Sequence, residues 1–450
     1  MAAKIGVISL GCAKNRIDTE MMLSELSKDY EFVDDMSKAD VVIINTCTFI
    51  NDAKEESINT IIEVEQQKRI GNVKGIIVTG CMPQRYKEEL KIELPRVDAF
   101  LGTAAYKDIK KAVSEVLAGH EYVNYANADL DEAYSERVIT TIKPTAYVKI
   151  ADGCDNNCSY CVIPSIRGRY QSRKMEDILN EIRKLVYDGY SEIILIAQDT
   201  TRYGVDIYGK LMLAQLMDCA SQIAGVKWLR VLYSYPENIT DELIAVMVKH
   251  ENIVKYIDIP LQHMDNQILS AMNRRNTWES SLDVIKRIRD ASKDFVIRST
   301  VIVGFPGETR SHMNKLYLGI KQANLEHLGV FSYSQEEGTP AGEMENQVEE
   351  EEKEFRRDSV LNIQSAISLE RNQAKIGMLC DALIEGYDEH SKMYYGRIYA
   401  QAPEVDGKVF VSTEKPLVSG KYYQIKIMNA YTYDFVGELI TAKADEMENN

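Results

Sequence analysis

The sequence lacks a long hydrophobic run, and no apolar stretch approaches the roughly 20 residues that a membrane-spanning helix requires. It also lacks the pattern of a cleaved leader, because the chain enters the strand-like segment KIGVISL almost at once. We therefore expect a cytoplasmic protein without a membrane span. At 450 residues, 45% of them apolar, the chain is long enough for about two to four domains.

An excess of positive charge is also missing. Lysines and arginines number 53 against 69 aspartates and glutamates, which gives a formal net charge of −16 at pH 7. Such a charge opposes nonspecific attraction to the phosphates of nucleic acids. A basic protein is the partner that this balance favours.

Disulfides are not expected, because eight cysteines in a large chain of this kind suggest metal sites instead. Cys219 and Cys380 lie in apolar contexts and are predicted to be packing residues. The other six lie in loops that follow predicted strands: Cys12, Cys47, Cys81, Cys154, Cys158 and Cys161.

The segment ADGCDNNCSYCVIPSIRGRY, residues 151–170, holds three of these thiols and no fourth. Three thiolates can hold three irons of a four-iron cube and leave the last iron open to another ligand. A zinc knuckle is the alternative, but zinc loops usually add a second cysteine pair or histidines, which this loop lacks.

The spacing CxxxCxxC, with Tyr160 directly before the third cysteine, resembles the signature of radical S-adenosylmethionine (SAM) enzymes. The resemblance implies that the open iron binds the amino and carboxylate groups of SAM. It also implies that an electron from the cluster splits SAM to give a 5'-deoxyadenosyl radical. In that case the cofactor carries the difficult chemistry, and the protein positions and shields it.

Residues 1–120 alternate strand-like and helix-like runs, which predicts an N-terminal α/β domain with a parallel sheet. Cys12, Cys47 and Cys81 follow three of its strands, and the carboxyl ends of parallel strands meet at one edge. Any one of them alone would be read as a buried thiol, but together they predict a second four-iron cluster. The strings SLGCAKN, NTCTFI and TGCMPQR resemble the N-terminal domain of methylthiotransferases, whose second cluster supplies or carries sulfur.

After an acidic linker over residues 121–142, with room for an edge strand, residues 143–335 contain six predicted strands alternating with helices. This pattern predicts a partial (β/α)6 barrel with active groups at the carboxyl ends of its strands. Besides Tyr160, the candidates for cofactor binding are Gln198, Asp199, Gln262 and Arg298. Ordinary hydrogen bonding at loop ends explains the two glutamines equally well, and His263 is predicted to be structural.

Residues 336–376 are predicted to form a helical connection, whose glutamate run over 349–354 indicates a solvated helix. Residues 377–442 contain short alternating strands separated by turns, which predicts a small antiparallel β-barrel, and residues 443–450 form a tail. The barrel resembles the TRAM domain that recruits substrate in this family. It holds nine acids and six bases over residues 377–441, which favours a basic protein over RNA.

The motifs IPSIRG, QDTTRYGVD and GFPGE resemble the RimO-type branch of the radical SAM methylthiotransferases. That resemblance implies two 4Fe-4S clusters, SAM, and a methylthio group added to the β-carbon of an aspartate in the decoding-centre protein of the small ribosomal subunit. It also implies a low-potential electron donor such as flavodoxin or ferredoxin, and contact with nucleic acid only through the ribosome.

Two alternatives stay open at this point. A tRNA methylthiotransferase would modify an adenosine instead. A noncatalytic electron carrier is the weaker alternative, because electron-transfer clusters are usually ligated by four residues and leave no iron open.

Overall fold

The computed structural model describes residues 3–125 and 136–440, so the middle of the predicted linker and the predicted tail lie outside the described residues. Two open sheets and one closed barrel follow each other along the chain. No helix within the described ranges is both long and apolar enough to cross a bilayer.

The N-terminal sheet is parallel throughout, as predicted, in the order β2-β1-β3-β4-β5-β6. Its central strands β3 and β4 are buried along their whole length, which is typical of parallel sheets covered on both faces. The strand β6 lies in the predicted linker and confirms the expected edge strand. The bounds are β1 Lys4–Ser9, β2 Glu31–Phe32, β3 Val41–Thr46, β4 Gly75–Gly80, β5 Ala99–Leu101 and β6 Tyr122–Asn124.

The helices of this domain are α1 Ala13–Leu26, α2 Asn51–Arg69, α3 Cys81–Tyr86, α4 Glu88–Glu93 and α5 Ile109–Leu117. Lys87 adopts a positive φ of 46° and separates α3 from α4. The helix α3 begins at Cys81 itself, directly after β4.

The central sheet has six parallel strands in the order β14-β13-β12-β11-β10-β7, which confirms the predicted partial barrel. Its strands are β7 Thr145–Lys149, β10 Glu192–Ile196, β11 Trp228–Val231, β12 Ile253–Gln262, β13 Val296–Val303 and β14 His327–Ser332. The strand β12 is the longest of the six and ends at Gln262. An unpredicted antiparallel pair, β8 Ala151–Asp152 and β9 Gln171–Ser172, closes the base of the cysteine loop.

Helices follow the central strands on the outside of this sheet and supply much of its core. They are α6 Ile163–Arg167, α7 Met175–Tyr187, α8 Val205–Tyr208, α9 Leu213–Ser221, α10 Asp241–Lys249, α11 Asn266–Ala271, α12 Trp278–Ala291 and α13 Arg310–Ala323.

The helix α14, Glu350–Gln373, exposes the glutamates of its charge run, as predicted, but it is not solvated on all sides. One side is buried against the central domain, where Gln364 donates to the backbone oxygen of Leu325 (2.8 Å) and Ser368 to that of Glu326 (2.8 Å). Backbone acceptors thus satisfy polar side chains that a sequence pattern assigns to solvent.

The C-terminal barrel closes in the order β15-β16-β17-β19-β18. The predicted small antiparallel barrel is confirmed: four of its five strand pairs are antiparallel, and only β17 and β19 pair in parallel. A closed ring with an odd number of strands cannot alternate direction all the way round. The strands are β15 Leu379–Asp388, β16 Met393–Ile398, β17 Val409–Ser412, β18 Tyr422–Ala430 and β19 Phe435–Leu439.

The small barrel is fixed to the amino-terminal ends of the central strands. Arg397 of β16 makes a bidentate pair with buried Glu192 of β10, at 2.6 and 3.0 Å. Burial would raise the pKa of Glu192, but the charges of Arg397 and Arg230 outweigh it and lower the pKa to about 2. Asp406, in the loop after β16, accepts a hydrogen bond from Tyr256 of β12 (2.6 Å). These contacts hold the barrel at one orientation.

Candidate active site

The loop that carries Cys154, Cys158 and Cys161 leaves β8 and returns through α6 to β9. Its turns are closed by the backbone, since the amide of Cys154 donates to Gly168 (3.1 Å) and that of Cys161 to Cys158 (3.0 Å). At Gly153, with φ of +75°, a Cβ would lie 2.1 Å from the carbonyl oxygen of Arg169, so only glycine fits.

These central thiols lie in a poorly solvated place. Burial raises the pKa of Cys154 to about 11, and burial together with the neighbouring Cys158 raises that of Cys161 to about 12. The guanidinium of Arg274 lies 3.9 Å from the sulfur of Cys158. As free thiols, Cys154 and Cys161 stay protonated at neutral pH, and ligation to a metal would supply the charge that makes them thiolates.

Gln198 and Gln262, at the carboxyl ends of β10 and β12, both present unused acceptors. Gln198 follows β10 and donates from Nε2 to Asp152 Oδ1 (2.7 Å), while its buried Oε1 has no partner among the described residues. Gln262 lies at the end of β12 with φ of 68°, and its buried Oε1 also has no partner among the described residues. Such oxygens fit a ligand that brings hydrogen-bond donors, as SAM does.

The other predicted cofactor residues have protein partners. The carboxylate of Asp199 accepts from Asn156 (2.9 Å) and Thr201 (2.7 Å). Tyr160 packs in a small apolar cluster with Phe305. Their roles toward SAM stay predictions.

Arg298 lies in β13, as predicted, but the structure does not bring it to the cysteine loop. It donates to Asp258 of β12 (3.0 Å) and lies 3.7 Å from Asp406 of the small barrel. His263 is structural as expected, because its Nδ1 accepts from the amide of Asp265 and its Nε2 lies 3.2 Å from Glu308.

The N-terminal thiols come together at the carboxyl ends of β1, β3 and β4, as predicted. Gly11 allows the first loop to approach Cys47, since a Cβ on it would lie 2.7 Å from that of Cys47. Asn15 of α1 ties the loops to each other, donating to the backbone oxygen of Thr46 (3.0 Å) and approaching the sulfur of Cys81 (3.6 Å) through its Oδ1.

The electrostatics of these three thiols differ. The side chain of Cys12 is exposed at the surface; desolvation by the surrounding protein would raise its pKa, but the charges of Lys14 and Arg167 lower it below its ordinary value. Burial raises the pKa of Cys81 to about 12. The ammonium of Lys14 lies 3.3 Å above the ring of Tyr233, a residue of the central domain.

Neither set of thiols is arranged around a single ion. Within residues 3–125 and 136–440, no three Cys, His, Asp or Glu side chains lie close enough to share one metal. A zinc ion holds its sulfurs about 2.3 Å away, whereas the thiolates of an iron-sulfur cube bind different irons and stand further apart.

Buried polar side chains that the sequence analysis missed connect the two cysteine sites. Arg167 of α6 donates to Asn15 (2.6 Å) and Asp18 (2.8 Å) in the N-terminal domain and to Asp152 (3.0 Å) beside the central loop. Lys149 bridges the same two carboxylates, at 2.6 and 2.9 Å. The only sequence signal was the string IPSIRG, which contains Arg167.

Known families match consecutive parts of this chain: the Uncharacterized protein family UPF0004 at residues 4–102, the Radical SAM superfamily at 148–318 and the TRAM domain at 376–440. The structure of the radical SAM methyltransferase TsrM from Kitasatospora setae, with cobalamin and a 4Fe-4S cluster bound, has the same fold. Its TM-score is 0.54 at 13% identity, covering 76% of this chain and 77% of that chain. Fold and loop thus define an enzyme of the radical SAM class, which uses SAM with a 4Fe-4S cluster.

Relatives that align with nearly the whole chain identify its branch within this class. The ribosomal protein uS12 methylthiotransferase RimO of Clostridioides difficile is 45% identical, over 97% of this chain and 99% of its own length. The protein of the same name from a Thermoanaerobacter species is 47% identical, over 96% and 99%. The chain belongs to the RimO family of methylthiotransferases.

Proposed function

We propose that this enzyme replaces a hydrogen on the β-carbon of an aspartate in ribosomal protein uS12 with a methylthio group. The relatives of the family are named for uS12, and they do not favour the tRNA alternative. The observation that carries the proposal is the direct connection between two sites of three thiols, made by Arg167 and Asp152.

In this proposal Cys154, Cys158 and Cys161 hold the cluster that binds SAM. When bound, SAM and a reduced cluster supply a radical able to remove a hydrogen atom from an unactivated carbon. The chain's own residues orient and enclose these groups. Gln198 and Gln262 would accept hydrogen bonds with their free oxygens, and Arg274 would balance negative charge beside Cys158.

A second 4Fe-4S cluster on Cys12, Cys47 and Cys81 is part of the proposal, as the site that presents sulfur. Asn15 would hold the three loops in register, since it contacts residues on all of them. The charges of Lys14 and Arg167 would stabilise anionic sulfur there. We further propose a cytoplasmic enzyme that receives electrons from a carrier such as flavodoxin or ferredoxin.

Mass spectrometry tests the function directly. uS12 and tRNA nucleosides would be compared from cells with the gene, without it, and with the Cys158→Ala variant. We expect the methylthio group on one aspartate of uS12 only in the first case. Unmodified uS12 together with a loss of methylthioadenosine from tRNA would instead establish the alternative substrate.

A further inference from the structure

We propose that Arg167 is a positioning residue that holds the N-terminal cysteine site against the central loop and raises the reduction potential of the cluster there. The inference rests on the proposed function, because it requires Cys12, Cys47 and Cys81 to hold a cluster.

The position of Arg167 in the chain lets its side chain extend from the central loop into the N-terminal domain. Its helix α6 begins two residues after Cys161, so the arginine is anchored to the SAM loop. Its side chain is only 3% exposed and crosses into the N-terminal domain. There its Nη2 lies 3.9 Å from the sulfur of Cys81 while it donates to Asn15. One side chain therefore contacts a thiol of the N-terminal site and the carboxylate of Asp152, two residues before Cys154.

Arg167 determines the net charge of the buried group beside the N-terminal thiols. Asp18 and Asp152 carry two negative charges, and Lys149 and Arg167 carry two positive ones, in one buried group. Of these four side chains, only Arg167 contacts a thiol sulfur. Removing it leaves two carboxylates with one ammonium, a net negative charge beside the thiols.

Reduction adds an electron to an iron-sulfur cluster, so nearby positive charge and hydrogen bonds to the ligand sulfurs raise its potential. Arg167 would supply both to the cluster on Cys81. A lysine would keep the charge but lose the planar fork that spans Asn15, Asp18 and Asp152. The two substitutions thus separate electrostatics from positioning.

The full chain with Cys154, Cys158 and Cys161 all changed to alanine isolates the N-terminal cluster. After anaerobic reconstitution, we expect Arg167→Gln to lower the midpoint potential in a redox titration and Arg167→Lys, which keeps the charge, to lower it less. Arg356→Gln is the matched control, since Arg356 is also buried and pairs with Glu308, far along the chain from the cysteines. Arg356→Gln should leave the midpoint potential of the N-terminal cluster unchanged.

The parent's iron content separates the possible failures. About four irons with equal potentials in the parent and Arg167→Gln would overturn the inference but leave the proposed function intact. Absence of iron from the parent would overturn the second cluster, and the inference with it.

A second measurement does not depend on the glutamine variant folding. In protein labelled with 15N-arginine, pulsed electron paramagnetic resonance of the reduced N-terminal cluster should detect a coupled 15N that disappears in Arg167→Lys. No coupling in the labelled parent would refute the contact. In the otherwise native enzyme, Arg167→Lys should retain SAM cleavage while yielding less methylthiolated uS12 per SAM cleaved.

Discussion

Single residues limit the shape of the central loop, and Gly153 does so most strictly. We expect Gly153→Ala to disrupt the loop, because its methyl group would lie 2.1 Å from a backbone oxygen at a left-handed φ. The reconstituted variant should keep about four irons instead of the eight of two intact clusters, as judged by iron analysis.

Gly168 in the same loop is the matched control. Its φ is +72°, yet an added Cβ would meet no atom within 4 Å. Gly168→Ala therefore meets no clash and carries only the conformational cost of this backbone region, about 1–3 kcal/mol, and should retain both clusters. Equal iron loss in both variants would show that strain rather than the clash is responsible.

The free oxygen of Gln262 leads to a second residue-scale prediction. A hydrogen bond of this kind contributes about 0.5–1.5 kcal/mol, so Gln262→Ala should weaken SAM binding by up to about tenfold. Equilibrium binding to the reconstituted enzyme measures this. Gln364 of α14 also has a buried oxygen without a partner among the described residues, and Gln364→Ala should not alter the affinity. Unchanged affinity in Gln262→Ala would remove this residue from the SAM site.

At the scale of elements, the two cysteine loops have separate tasks. Cys158→Ala should abolish reductive cleavage of SAM, because it removes a ligand of the cluster that binds SAM. Cys47→Ala should preserve cleavage and eliminate the methylthio product, because that loop belongs to the proposed sulfur site. Chromatography of 5'-deoxyadenosine and mass spectrometry of uS12 give the two readouts. Methylthiolated product from Cys47→Ala would contradict this division.

The elements themselves were largely predictable from local pattern. Buried strands such as β3 and β4 are short apolar runs between helical stretches, and their order in a parallel sheet brought the three N-terminal cysteines to one edge. The cysteine spacing in the central loop was equally local. Each of these signals lies within about ten residues of sequence.

The features that sequence could not show are long-range. The bridge from Arg167 to Asp18 spans 149 positions and lies between two domains. Most side chains on the buried side of α14 are polar, and Gln364 and Ser368 there donate to carbonyl groups that no periodicity reveals. The sequence made Arg298 a candidate for cofactor binding, but its guanidinium pairs with the carboxylates of Asp258 and Asp406. Partners of this kind follow from tertiary packing.

For the whole molecule, the fixed position of the small barrel decides which surface a substrate can meet. The pair between Arg397 and Glu192 is buried, and Asp406 in the loop after β16 accepts a hydrogen bond from Tyr256 of β12. The outward face of the barrel remains solvent-exposed, including Glu389, Glu414 and Glu438. Ribosomal proteins are basic, so an acidic barrel attracts them electrostatically.

This attraction leads to the final prediction. In the full-length enzyme, changing Glu389, Glu414 and Glu438 together to glutamine should weaken binding of uS12 and reduce its dependence on salt, because long-range charge attraction is screened by ions. These residues are exposed, and the changes leave the buried pair with Glu192 intact. Titrations at two ionic strengths measure the effect.

The matched control changes the exposed bases Lys408, Lys415 and Lys421 to glutamine. If the barrel recruits a basic protein, this variant should bind uS12 at least as well as the parent, since it removes charges that repel the substrate. A barrel that grips RNA would show the opposite pattern, because lysines that neutralise phosphates dominate such binding. Loss of uS12 binding in the lysine variant but not in the glutamate variant would therefore refute recruitment by acidic charge and point to RNA contact on this face.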